Sequence, residues 1–338
     1  MFMKKSWTEN IGLILFVGGI LIALFFGFYD YLRGDINDDF GFAQKLGVWI
    51  GIGLFLVAGT YVIKNFWRSL SLSLFALGVF LLALNIYGEF ITFRSPKISE
   101  GTVHFNKVRK PQKPLEEIFQ EMDQSQDESN EEYASRLTDL VYSETIHKWE
   151  DVTDYTEYNH QVPAHENYFL WAKSYLNPNY RFYLFCDPYK AVERGAMICT
   201  QAAEAMTNQW RKMGKEARNV VLDGHIVAEV QVDREKDVWW VLDADLGVVL
   251  EYDMQTLQEQ TDIAISRYRN AGYDLETATM IGEFYGKEGN YVQTNAGLCQ
   301  AEQEIYRLKW YFPFQLLALS SLYFGWAWFK NVRLSGVE

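Results

Sequence analysis

Concentrated positive charge is what this sequence most clearly lacks. Over 338 residues it carries 31 Lys and Arg against 44 Asp and Glu, a formal net charge of −13. The deficit sits between residues 91 and 309, where 23 basic residues face 37 acidic ones. Phosphate binding needs basic stripes, so no nucleic-acid partner is expected. No glycine-rich loop of the P-loop or dinucleotide type is present, which removes the usual cradle for nucleotide phosphates. Histidine is scarce as well. His104, His147, His160, His165 and His225 are the whole supply, and they lack the spacing to cysteines or carboxylates that marks a metal site. His160 and His165 flank Pro163 and read as a loop pair. Neither a metal nor a cofactor is expected. No internal repeat is visible.

Long apolar runs, in contrast, are abundant. Segments 11–29, 46–63, 70–90 and 311–329 approach the ~20 residues that span a bilayer. Lys4 and Lys5 precede the first run as they would in a signal peptide. That run lacks a small-residue cleavage site and ends in Tyr29-Asp30-Tyr31, which favours a retained span. Lys4, Lys5, Lys64, Arg68, Lys330 and Arg333 lie on one side of the four segments. The loop between the first two carries Asp30, Asp35, Asp38 and Asp39 against Arg33 and Lys45. Positive-inside reasoning then puts both termini in the cytoplasm and the large central segment outside. Gly47, Gly51 and Gly53 permit close helix approach. The expected division is three membrane helices in 1–90, a juxtamembrane linker over 91–132, an extracytoplasmic domain over 133–309, and a fourth helix with a cytoplasmic tail over 310–338.

Residues 91–115 read as an extended basic stretch, and 115–132 as a helix with a flexible turn. A helix is expected from Glu131 to Trp149, where Leu137, Leu140, Val141 and Trp149 recur at roughly helical period. Others cover His165–Tyr175, Pro188–Arg194, Thr200–Lys215 and Gln255–Asn270. Strands are expected at Ala217–Leu222, Ile226–Val232, Val238–Leu242 and Val248–Tyr252, and an amphipathic segment, Cys299–Lys309, leads into the fourth span. The class is α+β.

Three residues in this pattern carry chemistry. Cys199 opens a helix, in Glu193-Arg-Gly-Ala-Met-Ile-Cys199-Thr-Gln-Ala-Ala. His225 follows Gly224 at the head of a strand. Asp243 closes the strand Trp239-Trp-Val-Leu-Asp243. A thiolate attacks a carbonyl carbon, an imidazole moves the proton, and a carboxylate holds the imidazole in the right tautomer. A helix N-terminus favours the thiolate through its free N–H groups. Asp245 competes for the third role, but alternation along the strand puts Asp243 on the face of Trp239 and Val241. Asp245 reads as a turn residue before Gly247.

With Gly195 before the cysteine, Gly214-Lys-Glu-Ala-Arg218 after the helix, Gly224-His225, Glu229-Val230 and the Trp239–Asp243 strand, residues 190–250 resemble the transglutaminase-like superfamily, the thiol enzymes with a papain-like core. Met197, Thr200 and Val227 depart from that family's usual residues. The resemblance implies a transglutaminase-like (papain-like) α+β domain inserted between the helices of a four-span anchor. It implies a thioester on Cys199, resolved by water in a hydrolase or by an amine or hydroxyl in a transferase. The Cys199 backbone N–H would hold the oxyanion together with a second donor that the sequence does not name. Tyr180, Phe182, Tyr183, Trp239 and Trp240 would suit an extracytoplasmic peptide, protein or glycan-linked substrate, or else form the core. With Cys199 as nucleophile, Cys186 and Cys299 remain as a bridge or as two separate thiols. Two non-enzymatic alternatives stand beside this reading. One is an extracytoplasmic binding or adaptor protein with a vestigial Cys199. The other is an accessory subunit of an envelope polymer-assembly or export complex, docked to a membrane-protein partner.

Overall fold

The computed structural model describes residues 66–148, 155–177, 181–293 and 299–335. The expected spans 11–29 and 46–63, with Gly47, Gly51 and Gly53, lie outside these residues, as do both chain termini, Trp149 and Tyr180. The described residues form two compact units, those within 84–309 on the one hand and residues 66–83 with 310–335 on the other.

The 84–309 unit is α+β. Its first strands, β1 (Thr102–His104) and β2 (Lys107–Arg109), form an antiparallel hairpin. β3 (Ile146–His147) pairs parallel with β4 (Ala196–Met197). β5 (Ala217–Leu222), β6 (His225–Asp233), β7 (Val238–Asp243), β8 (Val248–Leu250) and β9 (Tyr291–Gln293) make a five-stranded antiparallel sheet of order β8-β7-β6-β5-β9. Side chains alternate across that sheet, as the two-residue strand period requires. Ala228, Val230 and Val232 pack with Ala202, Ala205, Met206 and Trp210 of the Cys199–Lys212 helix. Val220, Val227 and Val241 pack on the other face with Leu257, Ala264, Tyr268, Ile281 and Tyr285. Trp210 is fully buried, and truncating a ring of this kind to alanine costs about 3–5 kcal/mol. The cross-strand partners Arg218 and Glu229 form an ion pair at 2.5 Å, and Glu229 Oε1 also accepts the Met254 N–H. Two parts of the sequence motif are thereby joined.

Local signals explain most helix starts. The Asn130–Glu144 helix begins with a full capping box between Ser129 and Glu132, so two otherwise free N–H groups are satisfied reciprocally. Asp187 caps the Pro188–Arg194 helix, and Gly195 ends it at φ +76°. The left-handed conformation at Gly195 turns the chain directly into β4 and then Cys199.

Several expectations are corrected. The helix expected to reach Trp149 stops at Glu144, because Thr145 turns extended (φ −128°, ψ 164°) and Ile146 and His147 pair with β4; the β-branched Thr145 and Ile146 favour that extended state. The helix over 255–270 divides at Gln260 (φ −133°, ψ 67°) into Met254–Glu259 and Thr261–Asn270. The stretch over 91–115 holds a 3-10 turn, Pro96–Glu100, and the β1–β2 hairpin. Residues 91–132, expected as a linker, contribute Ile98, Ile118 and Met122 to the buried interior of the 84–309 unit. The Leu275–Gly286 helix and β9 are additions to the sequence reading. Cys186 and Cys299 are bonded as a disulfide, with Cα atoms 5.2 Å apart, which sets aside the alternative of two separate thiols.

In the other unit, the parts of the helices Phe66–Glu89 and Gln300–Ser335 that lie outside 84–309 meet at small residues. Ser71 Oγ donates to the Ser320 carbonyl at 2.9 Å, and Ser320 Oγ donates to the Ser71 carbonyl at 2.8 Å. A Cβ on Gly78 would lie 3.0 Å from the Pro313 carbonyl oxygen, so a side chain there would force the two backbones slightly apart. Among the described residues one helix segment, Arg68–Glu89, is long and apolar enough to cross a membrane, with a mean hydropathy of 2.1. Segment 311–329 is helical too, but it carries Pro313, Gln315, Ser320 and Ser321 besides its tyrosines and tryptophans and is less apolar.

Candidate active site

Cys199 opens the Cys199–Lys212 helix, His225 opens β6 and Asp243 closes β7, with β5 between the helix and β6. The Asp223-Gly224 loop, with Gly224 at φ +101°, turns β5 tightly into β6 and starts that strand at His225. The β6–β7 register pairs Ala228 with Leu242, which sets His225 and Asp243 on the same sheet face as diagonal neighbours. His225 Nε2 lies 2.8 Å from Asp243 Oδ2. Asp243 takes that nitrogen, leaving Nδ1 to pair with Cys199. Cys199 Sγ, a ring nitrogen of His225 and a carboxylate oxygen of Asp245 all lie within 4.8 Å of one another. With Cys186 and Cys299 bonded, Cys199 is the chain's free cysteine, and it is partly exposed.

The electrostatics favour a charged imidazole. Burial opposes charge on His225, but the Asp243 carboxylate and then the Cys199 thiolate outweigh it and hold its pKa well above the ordinary imidazole value. Asp243 has its own supports. Tyr268 OH donates to the same Oδ2 at 2.6 Å, Leu246 N–H donates to Oδ1 at 3.0 Å, and Tyr285 OH lies 3.0 Å from Tyr268 OH. Burial first, and the Asp243 charge second, raise the pKa of both tyrosines, so they remain neutral donors. The helix that begins at Cys199 has no side-chain N-cap, because Ile198 occupies that position. Its first N–H groups are therefore without a capping side chain, in the place where an anion on Cys199 or its adduct would form.

Sequence reasoning missed half of this cluster. Asp245 does lie in the turn before Gly247, but it is 2% exposed and is no solvent-facing turn residue. Its oxygens lie 2.8 and 2.9 Å from His147 Nδ1. Arg109, also buried, donates to the Asp245 carbonyl at 2.9 Å, to Tyr142 O at 3.1 Å and to Thr145 Oγ1 at 3.3 Å, and sits 3.4 Å from Asp245 Oδ1. Burial would raise the Asp245 pKa, but His147, Arg109 and His225 together hold it well below the usual carboxylate range. His104, at the tip of the β1–β2 hairpin, stacks on His147 with centroids 3.8 Å apart and planes 8° from parallel. Burial and the neighbouring His147 push the His104 pKa down to about 4. The available signals were the β-branched pair Thr145-Ile146 before His147 and the alternation of Thr102-Val-His104 with Lys107-Val-Arg109. Phe105 and Asn106, both at positive φ (47° and 61°), make the two-residue turn that hairpins favour, but phenylalanine stands where Asn, Asp or Gly is usual, which hid the second signal.

The aromatic residues expected near the site have other tasks. Tyr183 is buried against Phe185, Phe182 packs on His160 and Arg194, Trp239 stacks on Arg218 at 4.1 Å, and Trp240 borders the core. Among the described residues two sets of side chains have the donor types for a metal, His104 with His147 and Asp245, and Cys199 with His225 and Asp245. A metal lies in the plane of each imidazole that binds it. The parallel stack puts His104 and His147 in separate planes, so they cannot hold one ion together as they stand. Compared with family models, with curated proteins and with solved structures, the chain has no match.

Proposed function

We propose that this protein is a membrane-anchored thiol acyl-transfer enzyme of transglutaminase-like type, acting on an extracytoplasmic peptide, protein or glycan-linked substrate. The observation that carries the reading is the partly exposed Cys199 thiol beside His225, with the far nitrogen of that ring 2.8 Å from Asp243. The order of Cys helix, His strand and Asp strand on an antiparallel sheet supports the papain-like class. The apolar helix Arg68–Glu89 supports a membrane anchor, and with 11–29, 46–63 and 311–329 the anchor has four spans and cytoplasmic termini. The Cys186–Cys299 disulfide supports an oxidising compartment for the 84–309 unit.

The reaction begins as the thiolate–imidazolium pair of Cys199 and His225. The thiolate adds to an amide or ester carbonyl, and the oxyanion is held by the Cys199 backbone N–H. His225 gives its proton to the leaving amine or alcohol as the C–N or C–O bond breaks, which yields a thioester. A second nucleophile then releases the acyl group. Asp243, fixed by Tyr268 and Leu246, keeps the ring in the required tautomer throughout.

The test is alkylation of the detergent-solubilised, non-reduced protein with iodoacetamide between about pH 4 and 9, read by peptide mass spectrometry against His225→Ala. Cys199 is expected to react well below the ordinary thiol pKa of about 8.5, and His225→Ala to abolish that reactivity. A profile that matches a free thiol and ignores His225 would sink the enzyme reading. The adaptor and accessory-subunit alternatives would then take its place.

A further inference from the structure

The triad leaves a second carboxylate–imidazole pair beside the thiol without a task. Asp245 lies within 4.8 Å of Cys199 Sγ, and a buried anion that close opposes a thiolate. An apolar residue there would serve the nucleophile better. The protein instead keeps Asp245 and surrounds it with Arg109 and His147. That arrangement makes sense if the pair takes part in the chemistry.

Backbone pairing brings His147 to this place. His147 is opposite Met197 in the β3–β4 ladder, and the following N–H, of Lys148, donates to the Met197 carbonyl at 3.2 Å. Met197 is two residues from Cys199, so the ladder ties the backbone of His147 to the segment that leads into Cys199. Asp245 occupies Nδ1, which leaves Nε2 as the nitrogen for proton exchange. The His147 side chain is 14% exposed against 2% for Asp245, so His147 is the member that solvent reaches. The stacked His104 ring fixes its plane from one face.

We propose that His147, oriented by Asp245, is a second acid–base catalyst, taking the proton of the nucleophile that resolves the thioester. The inference rests on the thiol acyl-transfer reading. The His147 Nε2 lone pair takes a proton from water, a hydroxyl or an amine. The nucleophile's electron pair bonds to the thioester carbon, and the C=O π pair moves to oxygen. On collapse the C=O bond re-forms and the C–Sγ bond breaks, its pair staying on Cys199. The proton on His147 passes through solvent to His225, which gave its own to the first leaving group, and the resting ion pair is restored. No electrons are gained or lost overall.

The full-length protein in detergent, with p-nitrophenyl acetate as probe, separates the two half-reactions. His147→Gln keeps an amide donor for Asp245 but has no basic nitrogen. It is expected to release the first equivalent of nitrophenolate at the wild-type rate and to accumulate acetyl-Cys199 by mass spectrometry. Its steady-state turnover is expected to fall about 100-fold, and added imidazole to restore part of the turnover of His147→Ala. Turnover of His147→Gln within about twofold of wild type, or equal loss of both phases, overturns the inference and leaves the thiol reading intact. Wild-type protein whose Cys199 is never acetylated overturns both.

Discussion

Replacing Asp243 by asparagine isolates the charge that holds His225. Oδ2 accepts from both His225 Nε2 and Tyr268 OH, while among the described residues Oδ1 accepts only the Leu246 N–H. Asparagine in its better orientation directs its carbonyl oxygen at His225 and Tyr268. Its amide nitrogen then faces the Leu246 N–H. The geometry around the imidazole survives, and one donor–donor conflict appears at Leu246, costing about 1–3 kcal/mol of stability. The electrostatic loss is larger. A unit charge pair at 2.8 Å attracts by roughly 6 kcal/mol at an effective dielectric of about 20. Breaking buried pairs costs about 3–5 kcal/mol net, which is a factor of at least about 100 in the imidazolium–thiolate equilibrium. An unpaired thiol of pKa about 8.5 is ionised to roughly 0.3% near pH 6. Full loss of pairing therefore caps the fall in alkylation rate at roughly 300-fold, and the greater intrinsic nucleophilicity of the less stabilised thiolate trims it. Asp243→Asn is expected to slow iodoacetamide labelling of Cys199 at about pH 6 by roughly 10- to 100-fold, with little change near pH 9. Labelling at pH 6 that stays within about threefold of wild type would refute the claim that Asp243 holds the His225 charge.

Two further outcomes are expected. Cys186→Ser or Cys299→Ser opens a loop closed over a separation of 113 residues, for which the chain-entropy relation gives about 4–5 kcal/mol and measured cases about 2–5. A thermal-unfolding midpoint equal to that of wild type would contradict it. Acid sensitivity should trace to His160, which is fully buried with neither ring nitrogen hydrogen-bonded among the described residues. Burial, then Arg194 and Lys148, lower its pKa to about 3. The unfolded chain takes up this proton near pH 6.5 and the folded one does not. Stability is therefore present above about 6.5 and is lost by roughly 1.4 kcal/mol per pH unit as pH falls toward 3. His104 acts in the same direction. His225, with its raised pKa, acts in the opposite one, since its contribution is lost as pH rises. Because of that offset the comparison is differential. His160→Phe, packed on Phe182, should show a flatter decline in melting temperature between pH 7 and 5 than wild type, and parallel declines would count against the assignment.

Sequence periodicity carried the reading wherever local chemistry and burial agreed. Four strands between Ala217 and Leu250 were legible from their β-branched and aromatic content, Gly224 turns the chain before His225, and Asp243 ends its strand while Asp245 falls in the turn beyond it. Short elements that exist only through a partner were illegible. β3 is two residues long and stands only because β4 pairs with it, while β9 is held at the sheet edge by β5. His147, His104 and Arg109 are 98, 141 and 136 residues from Asp245 and of no recognisable spacing.

The sequence alone determined the acidic charge, the apolar runs, the α+β alternation and which cysteine, histidine and aspartate open or close their elements, because each is a property of composition or of local backbone period. Tertiary structure decided which two cysteines are bonded, that Asp245 is a buried ion beside the thiol, and that a hairpin and a two-residue strand bring two more histidines to it. Those facts depend on which distant surfaces exclude water together, and no local pattern in the chain encodes that.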